Sequence, residues 1–300
     1  MTGIDTFSDA LIADISKRCK KELGEDCTVI SQEVDKLNGV KLHGITVSRE
    51  DSSISPVIYA ENYFDMFEDG KQMDEIIESI MDIFKHHFET KPDIDSSMFS
   101  DWNCVKDKIG ARLINYESNK DMLKDIPYIR FLDLAVTFDI KGNHTSLGSC
   151  SVRITNHLLG FWGISLRDLE SAFNENLLKL KIDIKPLSEM IGEFLTGNSA
   201  CGNDLICPLC VMGTNEAYGA IAMLRKDVIK AFTERIGRDV YIIPSSVHEL
   251  LLYPANENAI VPEINSMINE VNRNVLNPID VLSDHAYFYS RELDDISIVA

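Results

Sequence analysis

A chain of 300 residues, 45% hydrophobic and 26% charged, has room for one large or two ordinary globular domains with a sizeable core. Its formal charge of −19 and pI near 4.7 argue against binding nucleic acid through a basic face and against an anionic membrane surface. The acids are interspersed, which reads as a solvated acidic surface and leaves open a basic protein partner or mimicry of nucleic acid.

The opening residues, Met1 to Ala10, show no basic segment followed by an apolar one, so no signal peptide is expected. No apolar run approaches the roughly 20 residues that span a bilayer. Seven irregularly spaced cysteines then predict reduced thiols and a cytoplasmic location.

Phe7, Leu11, Ile15 and Cys19 predict an amphipathic helix ended by Gly24. Cys27 to Ile30 and Val40 to Val47 read as strands, with Asn38-Gly39 as a tight turn between them. The apolar alternation changes phase at His43-Gly44, which predicts a bulge. Pro56 to Ala60 is a further strand. Met73, Ile76, Ile77, Ile80, Met81, Phe84 and Phe88 form the clearest helical stripe of the chain. Its His86-His87 pair cannot converge on one metal ion, because neighbouring helix positions point about 100° apart.

Trp102, Val105, Ile109, Leu113 and Tyr116 predict another amphipathic helix, and Asn119 to Asp125 is the expected domain boundary. Leu132, Leu134, Val136, Phe138 and Ile140 alternate with polar or small residues, the pattern of a half-buried strand. Gly142-Asn143 would turn it back into Cys150, Val152 and Ile154 as a hairpin. Ser165 should cap a helix with its stripe at Leu166, Leu169, Phe173, Leu177 and Leu180. Pro186 should open another that ends at Gly197. Cys207 to Met212 and Ala220 to Leu224 are expected strands, followed by a helix from Lys226 to Ile236, stopped by Gly237. A last helix, Glu263 to Val275, should bury Ile264, Met267, Ile268 and Val271, and Ala286 to Tyr289 should form a closing strand. Hairpins mixed with strand–helix–strand units predict an α+β fold of antiparallel or mixed sheets packed with amphipathic helices. The expected domains are 1–118 and 119–300.

Asp239 to Pro254 is the most ordered stretch. Val240 to Ile243 is a buried strand, Pro244 closes it, and Leu250 to Tyr253 is a second strand. Between them Ser246-Val-His-Glu249 has the spacing of a capping box, in which Ser246 would accept from the Glu249 N–H and Glu249 from the Ser246 N–H. The catalytic alternative makes Ser245 or Ser246 a nucleophile, His248 its base and Glu249 the orienting acid. No G-x-S-x-G elbow surrounds these serines.

Cys201, Cys207 and Cys210 are the metal-like cluster. C-x2-C supplies half a zinc knuckle, but no second close pair follows. Free buried thiols are the simpler expectation, with no metal and no cofactor. Asp133 and Asp139, with Arg130 and Arg153 nearby, read as solvent-facing carboxylates paired with arginines across a ladder. His157 and Trp162 follow the hairpin, where a pocket could form. No Walker loop, dinucleotide fingerprint or H-E-x-x-H is present.

Four segments carry a resemblance: Pro127-Tyr-Ile-Arg-Phe-Leu-Asp-Leu-Ala-Val, Ile154-Thr-Asn-His-Leu-Leu-Gly-Phe-Trp-Gly-Ile, Ile243-Pro-Ser-Ser-Val-His-Glu and Leu282-Ser-Asp-His-Ala-Tyr-Phe-Tyr. Together they resemble a domain-of-unknown-function family of clostridial, often gut, bacteria. The resemblance implies one full-length unit in an intracellular bacterial protein and carries over no catalytic residue. The leading expectation is a non-enzymatic interaction or regulatory protein with a protein partner. A hydrolase and an acidic nucleic-acid-mimicking decoy are the alternatives.

Duplex binding draws mostly on phosphate neutralisation. The chain has 29 Lys and Arg against 48 Asp and Glu. Gel-shift assays at micromolar protein and low salt, where charge effects are least screened, should show no DNA or RNA complex. A salt-sensitive complex would refute that expectation.

Overall fold

The computed structural model describes residues 3–50, 55–90, 99–145, 148–190, 209–255 and 261–299, with side chains described for these outside 143–150. The chain divides into two compact units, Met1–Asp95 and Ser96–Ala300. The segment 119–125, expected as the boundary, lies inside the second unit. A cut there would part β4 (Ile109–Asn115) from β6 (Leu134–Thr145), which pair from Ile109↔Ile140 to Asn115↔Leu134.

In the first unit, α1 (Gly3–Leu23) buries Phe7, Leu11, Ile15 and Cys19, as the four-residue spacing predicts. α2 (Ala60–Glu68) follows the sheet, and α3 (Met73–Thr90) adds Ile76, Ile77, Ile80, Met81, Phe84 and Phe88 to the same core. Each of these side chains contributes about 1.5–3 kcal/mol on burial. His86 is exposed and His87 buried, as their angular separation requires. The antiparallel meander β1 (Thr28–Asp35), β2 (Lys41–Ser48) and β3 (Val57–Tyr59) closes the layer, with Ile45 and Val47 facing the helices' core.

The expected bulge at Gly44 is absent. The β1–β2 register runs unbroken through Gln32↔Gly44 and Ser31↔Ile45. Glycine is required there by crowding: a Cβ would stand 2.7 Å from Val34 Cγ2 and 3.0 Å from Val57 Cγ1.

Among the described residues the second unit holds two sheets. In one, β6 runs beside β4 on one edge and beside β5 (Tyr128–Phe131) and then β7 (Gly148–Arg153) on the other. The second has the order β13-β12-β10-β11-β9-β8, with β8 Ile182–Pro186, β9 Cys210–Thr214, β10 Val240–Pro244, β11 Glu249–Pro254, β12 Tyr287–Ser290 and β13 Asp295–Ile298. Every described strand pair is antiparallel. The fold is α+β, and the β10–β11 hairpin lies in the middle of the larger sheet.

The helices described in full in this unit are α4 (Trp102–Val105), α5 (Asn156–Trp162), α6 (Leu166–Lys179), α7 (Lys226–Ile236) and α8 (Val261–Asn274). Ser165 caps α6 in a full capping box with Asp168.

Several expectations are corrected here. The helix expected over 102–116 is one turn, α4, followed by strand β4. Ala220 to Leu224 is a 3-10 turn spanning Gly219–Leu224 rather than a strand. Pro186 ends a strand instead of opening a helix; residues 187–190 are helical, and the rest of that expected helix lies outside the described residues. On α8 only Ile268 is buried, while Met267 and Val271 are exposed. β6 is not half-buried: Ala135, Thr137 and Asp139 are buried as well as Leu134, Val136, Phe138 and Ile140. Nor does it turn at Gly142-Asn143; its register with β7 shifts between Lys141 and His144 and the strand continues to Thr145.

One polar cluster joins the two sheets of this unit. Leu132-Asp133 is the two-residue loop between β5 and β6, with Leu132 at φ 56°. Asp133 accepts from Ser283 Oγ at 2.6 Å and from the Tyr287 hydroxyl at 2.7 Å. Burial, and then the Asp133 charge, push the Tyr287 phenol upward.

In the first unit, β3 ends at Tyr59, so the His43 N–H lies one residue past the last ladder pair, Gly44↔Tyr59. Glu61 of α2 accepts it at 2.9 Å and also contacts His43 Nδ1 at 2.8 Å, while Asp5 of α1 stands 3.5 Å from Nε2. The Glu61 hydrogen bond, opposed by burial and assisted by the Asp5 and Glu33 charges, raises the imidazole above its ordinary 6.5. A raised folded value means a contribution complete below pH 6.5 and lost as pH rises through that folded value. With His43 more than a third exposed, screening limits the effect to under about 1 kcal/mol. Urea titrations of wild type and His43→Gln at pH 5.5 and 8.5 should show a stability gap at the lower pH that narrows at the higher. A gap independent of pH would overturn the assignment.

Candidate functional site

Strand alternation puts Gly110 and Arg112 of β4, Asp139 and Lys141 of β6, and Ser151 and Arg153 of β7 on one sheet face, in the cross-strand pairs Gly110↔Asp139, Asp139↔Arg153 and Lys141↔Ser151. Gly110, Asp139, Lys141 and Ser151 of this face line a cleft of about 510 Å³; Arg112 and Arg153 stand outside its lining. α6 forms its second wall through Phe173, Asn176 and Leu177, and the segment 214–221 forms its third. Asn176 fastens α6 to the start of β4 by donating to Lys106 O at 2.8 Å and Ile109 O at 3.1 Å.

Asp139 is only 6% exposed. A carboxylate so placed needs a counter-charge and donors. Arg112 supplies both: its Nε donates to Asp139 Oδ2 at 3.1 Å, and its Nη2 donates to the same oxygen and to Ser151 Oγ, the latter at 3.1 Å. Gly110 makes room, since a Cβ there would lie 2.5 Å from Lys141 Cε and 2.9 Å from Asp139 Oδ1. Lys141 bridges to Glu216 across the cleft.

Tyr218 covers Arg112, whose guanidinium carbon lies 4.0 Å from the ring centre. Tyr218 is left-handed, φ 63°, a conformation costly for a bulky side chain. Its N–H donates to His248 Nδ1 at 3.2 Å, and the two rings lie 5.3 Å apart. His248 Nε2 in turn stands 3.4 Å from Asp280 Oδ1. Arg112, Tyr218, His248 and Asp280 therefore form one continuous row.

Arg153 differs from its neighbours. The residue is exposed; partial burial, and then the like charge of Arg112, pull the guanidinium below its ordinary value, with Tyr218 and Asp139 opposing. Arg153 makes no hydrogen bond or ion pair among the described residues.

The candidate residues of the sequence fall around this row. Ser245, Ser246 and His248 form the β10–β11 loop, and Glu249 begins β11. There is no helical turn, so the expected capping box is replaced by hairpin bonds: the Ser246 N–H donates to Glu249 O at 3.2 Å, and Ser246 Oγ accepts from the His248 N–H at 3.0 Å. A β10–β11 register of Pro244↔Leu250 leaves too short a connection for a helix. Ser245 Oγ donates to Glu249 Oε1 at 3.3 Å. No hydrogen bond joins either serine hydroxyl to the His248 ring among the described residues. His248 and Glu249 instead line a smaller recess of about 200 Å³ with Asp183 and Lys185.

Asp139 is in the cleft, paired with Arg112 and not with solvent. Asp133 is not in its lining; it belongs to the loop cluster with Ser283 and Tyr287. His157 is exposed, and Trp162 donates from its indole to Phe99 O at 2.8 Å. Cys210 begins β9, while Cys201 and Cys207 lie outside the described residues. Among the described residues no group of three or more His, Cys, Asp or Glu side chains is arranged to hold a metal ion, and no helix is long and apolar enough to cross a membrane.

Arg112 and Tyr218 went unread in the sequence. The 102–116 spacing fits a helix, which hides Arg112; as a strand residue it shares the face of Gly110 and lies diagonal to Asp139. Tyr218 had no local signal, since only the fold brings it over Arg112.

A family model described as a family of unknown function, DUF5688, matches residues 5–291. The chain belongs to that family. No curated protein and no solved structure matches it.

Removing Asp139 leaves the largely buried Arg112 cation without its counter-charge. Breaking such a buried pair costs about 3–5 kcal/mol. Asp139→Ala should lower unfolding stability in urea by about that amount. A loss under about 1 kcal/mol would show that the pair is held no better than a surface bridge.

Proposed function

We propose, starting from membership in this family, that the protein is a binding rather than a catalytic molecule, and that the cleft of its second unit seats the ligand. One observation carries the reading. Both ring nitrogens of His248 are engaged, Nδ1 by the Tyr218 N–H and Nε2 by Asp280, so neither is left to deprotonate a serine. A hydrolase built on Ser245 or Ser246 needs that contact. The cleft, by contrast, combines fixed ion pairs with an apolar wall, the usual make-up of a ligand site.

The reading includes an interaction or regulatory role, with ligand occupancy altering what a protein partner meets. It also includes a bacterial, clostridial source and a cytoplasmic location. Supporting these are the four resembling segments. The decoy alternative draws on net charge alone.

Purified protein should not be labelled by a fluorophosphonate serine probe and should not hydrolyse p-nitrophenyl esters above background. Ser246→Ala should act on stability only, by about 1 kcal/mol, the usual weight of one hydrogen bond. Stoichiometric labelling that Ser245→Ala or Ser246→Ala abolishes would overturn the binding reading in favour of a hydrolase.

A further inference from the structure

We propose that the cleft of the second unit receives a neutral, polyhydroxylated ligand of the sugar class, one hydroxyl of which donates to Asp139 Oδ1. The inference rests on the reading of this cleft as a ligand site and adds the chemistry of the ligand.

A single oxygen starts the argument. Both Arg112 bonds to Asp139, from Nε and from Nη2, end on Oδ2. Oδ1 accepts no hydrogen bond among the described residues, although its residue is only 6% exposed. Nor is it sealed in, because no carboxylate oxygen of the described residues is both fully buried and unpartnered. Its opening lies at Gly110. Both residues line the cleft, and a Cβ on Gly110 would stand 2.9 Å from Oδ1 and 2.5 Å from Lys141 Cε. The missing side chain therefore leaves room beside Oδ1 and Lys141 at the cleft wall. A carboxylate oxygen so nearly buried is costly to leave without a donor.

The groups around it are also open. Ser151 Oγ accepts from Arg112 Nη2 at 3.1 Å, so its hydrogen is left to donate. Lys141 carries three N–H donors and meets one carboxylate, that of Glu216. Asn215 lines the cleft and is exposed, and its amide makes no hydrogen bond among the described residues. Its place is nonetheless fixed. Thr214 Oγ1 accepts from the Glu216 N–H and donates to Glu216 O, each at 3.2 Å, which closes a turn around Asn215. The cleft thus offers an acceptor at Asp139, donors at Ser151 and Lys141, and both at Asn215.

Charge then selects the ligand. Asp139 is paired with Arg112 and Lys141 with Glu216, so the lining has no charge left to answer. An anion would meet Asp139 and Glu216. An ammonium at Oδ1 would meet Lys141 beside it and Arg112 on the other oxygen. A hydroxyl both donates and accepts, so a ring bearing adjacent hydroxyls answers this mixed set without adding charge. A lone alcohol would satisfy Oδ1 and leave the remaining donors to water. The volume, about 510 Å³, falls within the range of small-molecule sites, about 300–1,000 Å³.

The test is titration of the full chain, followed by saturation-transfer NMR, with D-glucose, D-galactose, D-mannose and D-ribose, and with cyclohexanol, propylammonium and acetate as counterparts. At least one of the sugars should bind saturably at one site per chain at millimolar concentration. The three counterparts should each be weaker by about tenfold or more, the scale of one to two lost hydrogen bonds. Asn215→Ala should weaken the best sugar by about threefold to tenfold. Its side chain makes no bond in the folded chain, so this variant should melt with the wild type, which circular dichroism checks. Gly110→Ala, which fills the space beside Oδ1, should remove binding; if it does not fold, Asn215→Ala decides. No saturable sugar binding would overturn the proposal and leave Oδ1 to water. Propylammonium or acetate as tight as the best sugar would overturn the neutral ligand, and cyclohexanol as tight would overturn the hydroxyl array. Unchanged sugar binding by Asn215→Ala would move the site out of this cleft and overturn the assignment. None of these outcomes touches the serine-probe result, so failure of this inference and failure of the binding reading are told apart.

Discussion

The second unit depends on the burial of β6 on both faces. Leu134, Val136, Phe138 and Ile140 occupy one side, and Ala135, Thr137 and Asp139 the other. An ionised carboxylate at such a position is tolerable only with a partner close enough to offset its lost hydration. Arg112, from the adjacent strand, is that partner. Its own apolar faces must then be covered, and Tyr218 covers one of them. Tyr218 can do so only from a left-handed backbone, and the bond from its N–H to His248 helps to hold it there. The cleft is the space that this arrangement leaves between sheet, α6 and the 214–221 segment.

A second cluster sets how the two sheets of that unit meet. Ser283 and Tyr287 are buried hydroxyl residues, and buried donors need acceptors. Asp133, presented by the tight β5–β6 loop, accepts from both. The loop holds its own strain locally: Arg130 Nε donates to Leu132 O at 2.8 Å, and the Arg130 guanidinium lies over Tyr116. Two aspartates six positions apart in sequence thus do different work. One carries a cation inside a sheet face, and the other ties one sheet to the next.

Belonging to a family of unknown function brings no chemistry with it, so the chemistry must come from the side chains. The serine, histidine and glutamate of the β10–β11 loop illustrate how little a short spacing constrains. S-x-x-E fits a helix cap, a catalytic relay and a hairpin loop alike. The β10–β11 register selects the hairpin, and the ring of His248 is turned toward Tyr218 and Asp280. Arg112 and Arg153 flank Asp139 from two different strands, β4 and β7.

Local periodicity was enough for much of the fold. α1, α3, α6 and α7 announce themselves by apolar stripes and caps, and β10 and β11 by β-branched and leucine runs bounded by proline. The sequence by itself therefore determined the α+β class and the apolar positions of both cores, because those depend on neighbours a few residues away. It misled where one spacing serves two structures. Residues four apart share a face in a helix and also in a strand, so Ile109 and Leu113 fitted either, and only pairing with β6 made them a strand. Likewise the short apolar run Ala220 to Leu224 is buried without being a strand. What tertiary structure alone decided was the division of the chain after Asp95, the burial of Asp139, and the meeting of Arg112, Tyr218 and His248. Those are contacts between segments 27 to 106 positions apart, from Arg112–Asp139 to Arg112–Tyr218, and their energy comes from desolvation and charge pairing that no local pattern encodes.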